Sequence, residues 1–228
     1  MKVLFFDIDG TLLHAGGAGR RAFSLALADV LGVDDDLRSI PFDGRTDPGI
    51  WSDICIRHGA ARSYALDRLF FERYLRHLER LLSERDGEGG LYPGVLALLE
   101  ILAQRQEIRS SILTGNIEQG AALKLAAFGI LPYFARGAYG SDHHDRTSLG
   151  PIALERMGSL LGRRLEPGAS VVVGDTPFDI ACARAAGMRS LAVATGRYGL
   201  EQLARAGADA VLADLSDHAR ALEAIGLA

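Results

Sequence analysis

The sequence predicts an α/β fold: a doubly wound, mainly parallel sheet with a small all-helical unit inserted after the first strand. Three observations predict it. Short apolar runs of strand length recur along the chain, separated by amphipathic helical stretches, the alternation that a parallel sheet produces. Several of these runs end in small or acidic residues (FFDIDG, ILTGN, VVVGDT, AVATG), and open α/β sheets bind ligands beyond such strand ends. Residues 14–90 break the alternation and read as helix almost throughout.

Taken in order, strands are expected at VLFF from Val3, SSIL from Ser110, a weaker run over Ala135–Ala138, VVV from Val171, SLAVA from Ser190 and AVLA from Ala210. Helices are expected over RRAFSLALADVLG, IWSDICIRHGA and ALDRLFFERYLRHLERLLSERDG. The helical stretch is flanked by the glycine-rich segments GGAGR and DGEGGLYPG, read as flexible joints. The chain therefore divides into a core, residues 1–13 and 91–228, and a helical cap, residues 14–90, placed over the C-terminal end of the first strand.

Composition narrows the function classes. With 228 residues, 48% of them apolar and 24% charged, the chain has the material for a folded core. A net charge of −4 argues against nucleic acid, which wants a basic face. No apolar run approaches the ~20 residues of a membrane span, and VLFF runs too soon into DID to be a signal peptide. Two cysteines, Cys55 and Cys182, give no disulfide framework and fit a reducing cytoplasm.

Three strand ends carry the chemistry. In FFDIDGTLL, Asp7 stands at the end of a strand and Asp9 in the turn that Gly10 permits. One carboxylate suits a nucleophile or metal ligand and the other a general acid/base; the plainer alternative is an Asx-type turn. In SSILTGN, the Thr114 hydroxyl and free backbone N–H groups before a helix form an anion site, or simply a helix cap. In VVVGDTPFD, Asp175 stands at another strand tip and Asp179 four residues on, either as oxygen ligands for a hard cation such as Mg²⁺ or as capping acids.

Together, DIDGT, LTGN and GDTPFD resemble motifs I, II and IV of the haloacid dehalogenase superfamily, and the helical insert after motif I resembles its helical-cap subgroup, which includes phosphoglycolate phosphatase-like enzymes. The resemblance spans essentially the whole chain. It implies a Rossmann-like core and a phosphatase acting through an aspartyl-phosphate. Asp7 would be the nucleophile and Asp9 the acid and then the base. Mg²⁺ would be held by Asp7, the backbone carbonyl of Asp9 and Asp175, with Asp179 binding through water or orienting its neighbours. Thr114, the N–H of Gly115 and Asn116 would hold the phosphoryl group.

The same resemblance implies a motif III cation, often in a Lys-Pro pair, which this sequence lacks. Lys2 and Lys124 are the only lysines. Lys124 lies two turns into the helix after LTGN, roughly 12 Å from its start at ~1.5 Å per residue, beyond a lysine's reach. Arg146, in GSDHHDRTSLGP, lies on a loop at the catalytic end and is the preferred cation, with Lys124 the alternative; an ion pair of Arg146 with Asp142 or Asp145 is its plainer role. The adjacent His143 and His144 lack zinc-site spacing and read as loop residues.

In the cap, Arg45 in PFDGRTDPG is positioned to reach an anionic part of the substrate, or merely to pair with Asp43 or Asp47. Arg20 and Arg21 are weaker candidates, as ordinary first-turn arginines. Asp9 disfavours dehalogenation, and the absence of lysine from residues 14–90 excludes a cap Schiff base. The expected activity is Mg²⁺-dependent hydrolysis of a small soluble phosphomonoester, phosphoglycolate by analogy, with a phosphosugar mutase and a non-catalytic binding module as alternatives.

Overall fold

A computed structural model of the chain describes residues 1–84 and 88–227. The elements follow in chain order: β1 (Lys2–Phe6), β2 (Leu13–His14), α1 (Ala18–Leu31), α2 (Asp47–Arg57), α3 (Tyr64–Ser83), β3 (Gly90–Leu91), α4 (Val95–Ala103), β4 (Ile108–Thr114), α5 (Glu118–Ala127), β5 (Ala135–Tyr139), α6 (Leu149–Leu160), β6 (Val171–Gly174), α7 (Pro177–Ala185), β7 (Arg189–Val193), α8 (Leu200–Arg205), β8 (Ala210–Leu212) and α9 (His218–Ala224).

The main sheet has six parallel strands in the order β5-β4-β1-β6-β7-β8. The chain builds outward from β1 in one direction through β4 and β5, then crosses back to build β6, β7 and β8 on the other side. β1 is therefore the switch point, where a crevice opens beyond the strand ends. Its neighbours are in register, Phe6 pairing with Ile112 on β4 and Val173 on β6, so the three strands end close together.

Side chains alternate across β1. Val3 and Phe5 pack with Leu113, Val172, Met157 and Cys182 under α6 and α7. Leu4 and Phe6 face the other way, into a cluster that continues without a break into the insert and includes Phe23, Trp51, Phe70 and Tyr74. Within it the Trp51 and Phe70 rings stack at 3.8 Å, and Phe23 sits edge-on to Phe70 at 5.2 Å.

Between β2 and β3 the described residues form helices α1, α2 and α3. Ser63 caps α3 by accepting from the Leu66 N–H, and Thr46 caps α2 by accepting from the Gly49 N–H with Pro48 in the first turn. Where flexible joints were expected, the two chain crossings pair with each other: β2 and β3 form an antiparallel ribbon, Leu13 opposite Leu91 and His14 opposite Gly90. Gly89 is required there, since a Cβ would lie 2.6 Å from the His14 carbonyl oxygen at a φ of 89°. Arg85–Gly87, the end of the third expected helix and part of the second joint, lie outside the described residues.

Candidate active site

The tips of β1, β4 and β6 deliver Asp7, Thr114 and Asp175 to one cavity of about 460 Å³, bounded on the far side by α1, the 42–47 loop and α3. Asp7 is 4% exposed and Asp175 3%. Carboxylate oxygens of Asp7, Asp175 and Asp179 lie within 4.8 Å of one another. Burial pushes the Asp7 carboxyl up to about 6; the Asp179 and Asp9 charges add to the rise, while Arg146 and the Thr114 hydroxyl oppose it. Burial and the charges of Asp179 and Asp7 push Asp175 up to about 8, against Thr11 and Arg146.

Neighbouring glycines let the acids approach. A Cβ on Gly10 would lie 2.3 Å from Asp175 Oδ2, and one on Gly196, in the loop after β7, 1.8 Å from it. Thr11 donates its hydroxyl to Asp175 Oδ1 at 2.9 Å. Asp179 caps a helix, as the plainer reading had it, and also faces Arg146. Its Oδ2 accepts from the Thr176 N–H and hydroxyl in a capping box at the start of α7, and its Oδ1 accepts from Arg146. Asp179 thus pairs with Arg146 while staying one of the three acids whose oxygens could face a metal ion.

Arg146 is 6% exposed and lies 3.2 Å from Asp7 Oδ2. Burial opposes its charge, but Asp179 and Asp7 outweigh burial and hold the guanidinium protonated above its ordinary range. Its Nε is buried with no hydrogen-bond partner among the described residues. The ion pairs suggested as its plainer role go elsewhere: Asp142 pairs with Arg156 at 2.9 Å, and Asp145 accepts from Thr147.

The distance argument against Lys124 fails. Its Nζ lies 2.5 Å from Asp9 Oδ2 and 2.7 Å from Asn116 Oδ1. Counting down from the helix start assumed that α5 points end-on at the site. Instead α5 lies along the cavity wall, its Gly120 against Tyr74 of α3 and its Lys124 against Gly19 of α1. Asp9 leans toward that wall, its side chain 43% exposed. Both candidate cations thus enter the cavity, Arg146 at Asp7 and Lys124 at Asp9.

Asn116 spans the two halves of the site: its Nδ2 donates to Asp9 Oδ2 at 2.8 Å and to Thr114 Oγ1 at 2.9 Å. At Gly115 a Cβ would lie 1.9 Å from the Arg45 carbonyl oxygen, so only glycine lets the 42–47 loop settle here. Arg45 lines the cavity but pairs with Asp53 at 2.7 Å, not with Asp43 or Asp47. Asp43 faces Arg197 at 3.7 Å. His143 and His144 stack on each other beside Asp145, and neither belongs to the group Asp7, Asp175 and Asp179 that could hold a metal among the described residues.

Sequence reasoning missed Asp47. Its backbone N–H donates to the Gly115 carbonyl and its Oδ2 accepts from the Ile117 N–H, each at 2.8 Å, clasping the insert to the loop before α5. Thr46 adds a hydroxyl bond to the His144 carbonyl at 2.6 Å. Burial raises Asp47 to about 7, against Lys124 and the Ile117 N–H, with Asp9 adding to the rise. The signal was an acid between an N-capping threonine and a proline, which reads only as a helix start.

Similarity to known proteins agrees with this geometry. A family model described as haloacid dehalogenase-like hydrolase matches residues 1–187. The phosphoglycolate phosphatase of Rhodospirillum rubrum is 30% identical over 217 residues, covering 94% of this chain and 88% of that protein. Among solved structures, a hydrolase from Pseudomonas syringae superposes with a TM-score of 0.73 at 21% identity, covering 98% of each chain. CbbY from Rhodobacter sphaeroides, solved in complex with phosphate, superposes with a TM-score of 0.72 at 24% identity, covering 95% of each chain. The chain belongs to the haloacid dehalogenase-like hydrolase family, among its phosphatases.

Proposed function

We propose that the chain is a Mg²⁺-dependent phosphatase that hydrolyses a small soluble phosphomonoester through an aspartyl-phosphate on Asp7, with residues 14–90 acting as its cap. The observation that carries this is the placement of Asp7, held between Arg146 and Thr114 on one side and Asp175 on the other, with Asp9 opening onto the same cavity. The two buried free cysteines fit a cytoplasmic enzyme.

The residues fit a hard divalent cation. The donors are all oxygen, the cluster is buried, and burial together with the neighbouring acids pushes the Asp7 and Asp175 carboxyls upward. Asp7, the Asp9 backbone carbonyl and Asp175 would hold the ion, and when bound it would offset repulsion between the Asp7 carboxylate and the phosphoryl oxygens.

In the first step an Asp7 oxygen attacks phosphorus and the ester oxygen leaves, taking a proton from Asp9. In the second, Asp9 accepts a proton from water as that water attacks phosphorus, which releases phosphate and restores Asp7. Arg146 and the Thr114 hydroxyl meet the phosphoryl oxygens. The bonds of Asp47 to the Gly115 carbonyl and the Ile117 N–H tie the 42–47 loop to the loop before α5 beside the cavity.

Phosphoglycolate is the first substrate to try, because the Rhodospirillum rubrum relative carries that name. Phosphate release from a panel of phosphomonoesters, with Mg²⁺ and with EDTA, tests the reading. Metal-dependent release supports it; sugar phosphate isomerisation without release would replace it with a mutase.

A further inference from the structure

Five basic side chains line the cavity: Arg20, Arg45, Lys124, Arg146 and Arg197. Four of them face an acid: Arg45 with Asp53 at 2.7 Å, Lys124 with Asp9 at 2.5 Å, Arg146 with Asp7 at 3.2 Å and Arg197 with Asp43 at 3.7 Å. Arg20, half-buried on α1, has no acid partner among the described residues. Its Nη1 donates to the Leu37 carbonyl and, at 3.0 Å, to the Ile40 carbonyl. Its guanidinium carbon lies 4.2 Å over the centre of the Phe42 ring.

These contacts hold the side chain without neutralising it. A guanidinium has five N–H donors, and the carbonyl contacts use only Nη1. Leu37, which supplies one carbonyl, is the one non-glycine residue at positive φ among the described residues, at 55°, and it is fully buried. Such a backbone is costly for leucine and persists where the surroundings enforce it. The 37–42 loop is thus built around a fixed positive charge at the cavity wall, with Phe23, Phe42 and Ile50 as apolar neighbours. A planar, weakly hydrated, pre-oriented guanidinium of this kind suits a carboxylate or phosphate.

We propose that Arg20 is a specificity-determining residue that receives a second anionic group on the substrate, at the end away from the scissile ester. The substrate class is then a small phosphomonoester carrying a carboxylate or a further phosphate. This rests on the phosphatase reading above and shifts the role of anion reader within the cap from Arg45, already paired with Asp53, to Arg20.

The test compares kcat/KM of the full chain, in Mg²⁺, for four compounds. 2-Phosphoglycolate carries a carboxylate and propane-1,3-diol bisphosphate a second phosphate; ethyl phosphate and p-nitrophenyl phosphate carry neither. Arg20→Met should lower kcat/KM for a compound with the second anion by about tenfold to a hundredfold more than for the two plain esters, mainly through KM. Whichever of the two anionic compounds suffers that excess loss names the group. Arg20→Lys should recover only part of the difference, since it keeps the charge without the planar fork. Equal losses on all four compounds would make Arg20 a mere support for the 37–42 loop and overturn the proposal, as would no loss on any. If the wild-type protein hydrolyses none of the four, the phosphatase reading itself falls, and the Arg20 proposal with it.

Discussion

Lys124 and Asp9 are ion-paired across the cavity wall, Nζ to Oδ2 at 2.5 Å, although one lies in the second turn of α5 and the other in the turn after β1. Asn116 completes the arrangement by accepting from Lys124 and donating to Asp9. The lysine side chain is 5% exposed and the aspartate 43%, so the rigid partner is the lysine and the open one is the acid. If Asp9 is the acid and base of the proposed reaction, Lys124 serves as a positioning residue for its carboxyl group. Lys124→Met should lower kcat by about tenfold to a hundredfold, with a smaller effect on KM. Steady-state kinetics decide it, and an unchanged kcat would leave the pair purely structural.

Arg146 acts on the other carboxylate. Its removal strips the charge facing Asp7 and leaves Asp179 unpaired in a buried site. Arg146→Ala should therefore cost both activity and fold stability, whereas Lys124→Met should cost mainly activity. Thermal melts beside phosphate-release assays separate the two.

The Asp47 clasp predicts a pH dependence. Its carboxyl rises from an ordinary 3.8 to about 7 in the fold, so the native state holds its proton where the unfolded chain has lost it. Its contribution to stability is fully present below about pH 4 and is lost as pH rises toward 7. Asp47→Asn, neutral at every pH and still able to accept from Ile117, should melt higher than wild type at pH 8. The gap should close toward pH 4, at roughly 2–4 °C per kcal/mol. Melts in EDTA across this range check the sign.

Gly115 is a steric requirement of cap docking, because a methyl group there would lie 1.9 Å from the Arg45 carbonyl oxygen. Gly115→Ala should loosen the 42–47 loop from the core, raising KM and exposing the Asp47 and Ile117 amides to faster hydrogen exchange. Protection equal to wild type would refute the docking argument.

If Asp175 helps to hold the cation, Mg²⁺ should raise the melting temperature of the wild-type protein, by ligand linkage. Asp175→Asn should lose most of that response and, because it needs no proton taken up on folding, melt higher than metal-free wild type at pH 7.5. A Mg²⁺ response retained in Asp175→Asn would place the ion elsewhere.

The six strands of the main sheet were legible because each is a compact apolar run, and the three helices of the insert because their apolar residues recur at helical spacing. The ribbon of β2 and β3 was not, since two residues per strand carry no pattern. Asp7, Thr114 and Asp175 could be placed together from strand ends alone. Lys124, Arg20 and Asp47 could not, because their meaning depends on how α5, α1 and the 42–47 loop lie across the cavity. Spacing along a helix axis says nothing about which wall the helix forms, which is why the reach estimate ranked Lys124 below Arg146. Nor does an arginine in a first helical turn reveal whether an acid faces it, which separates Arg20 from Arg45.

The central claim is that Asp7 carries the phosphoryl group. Rapid acid quench during turnover of a phosphomonoester in Mg²⁺, followed by peptide mass analysis, tests it most directly. A peptide spanning Asp7 should be heavier by one phosphoryl group, and this peptide should be absent from Asp7→Asn, which should also release no phosphate while remaining folded. Undiminished, Mg²⁺-dependent phosphate release by Asp7→Asn would contradict it.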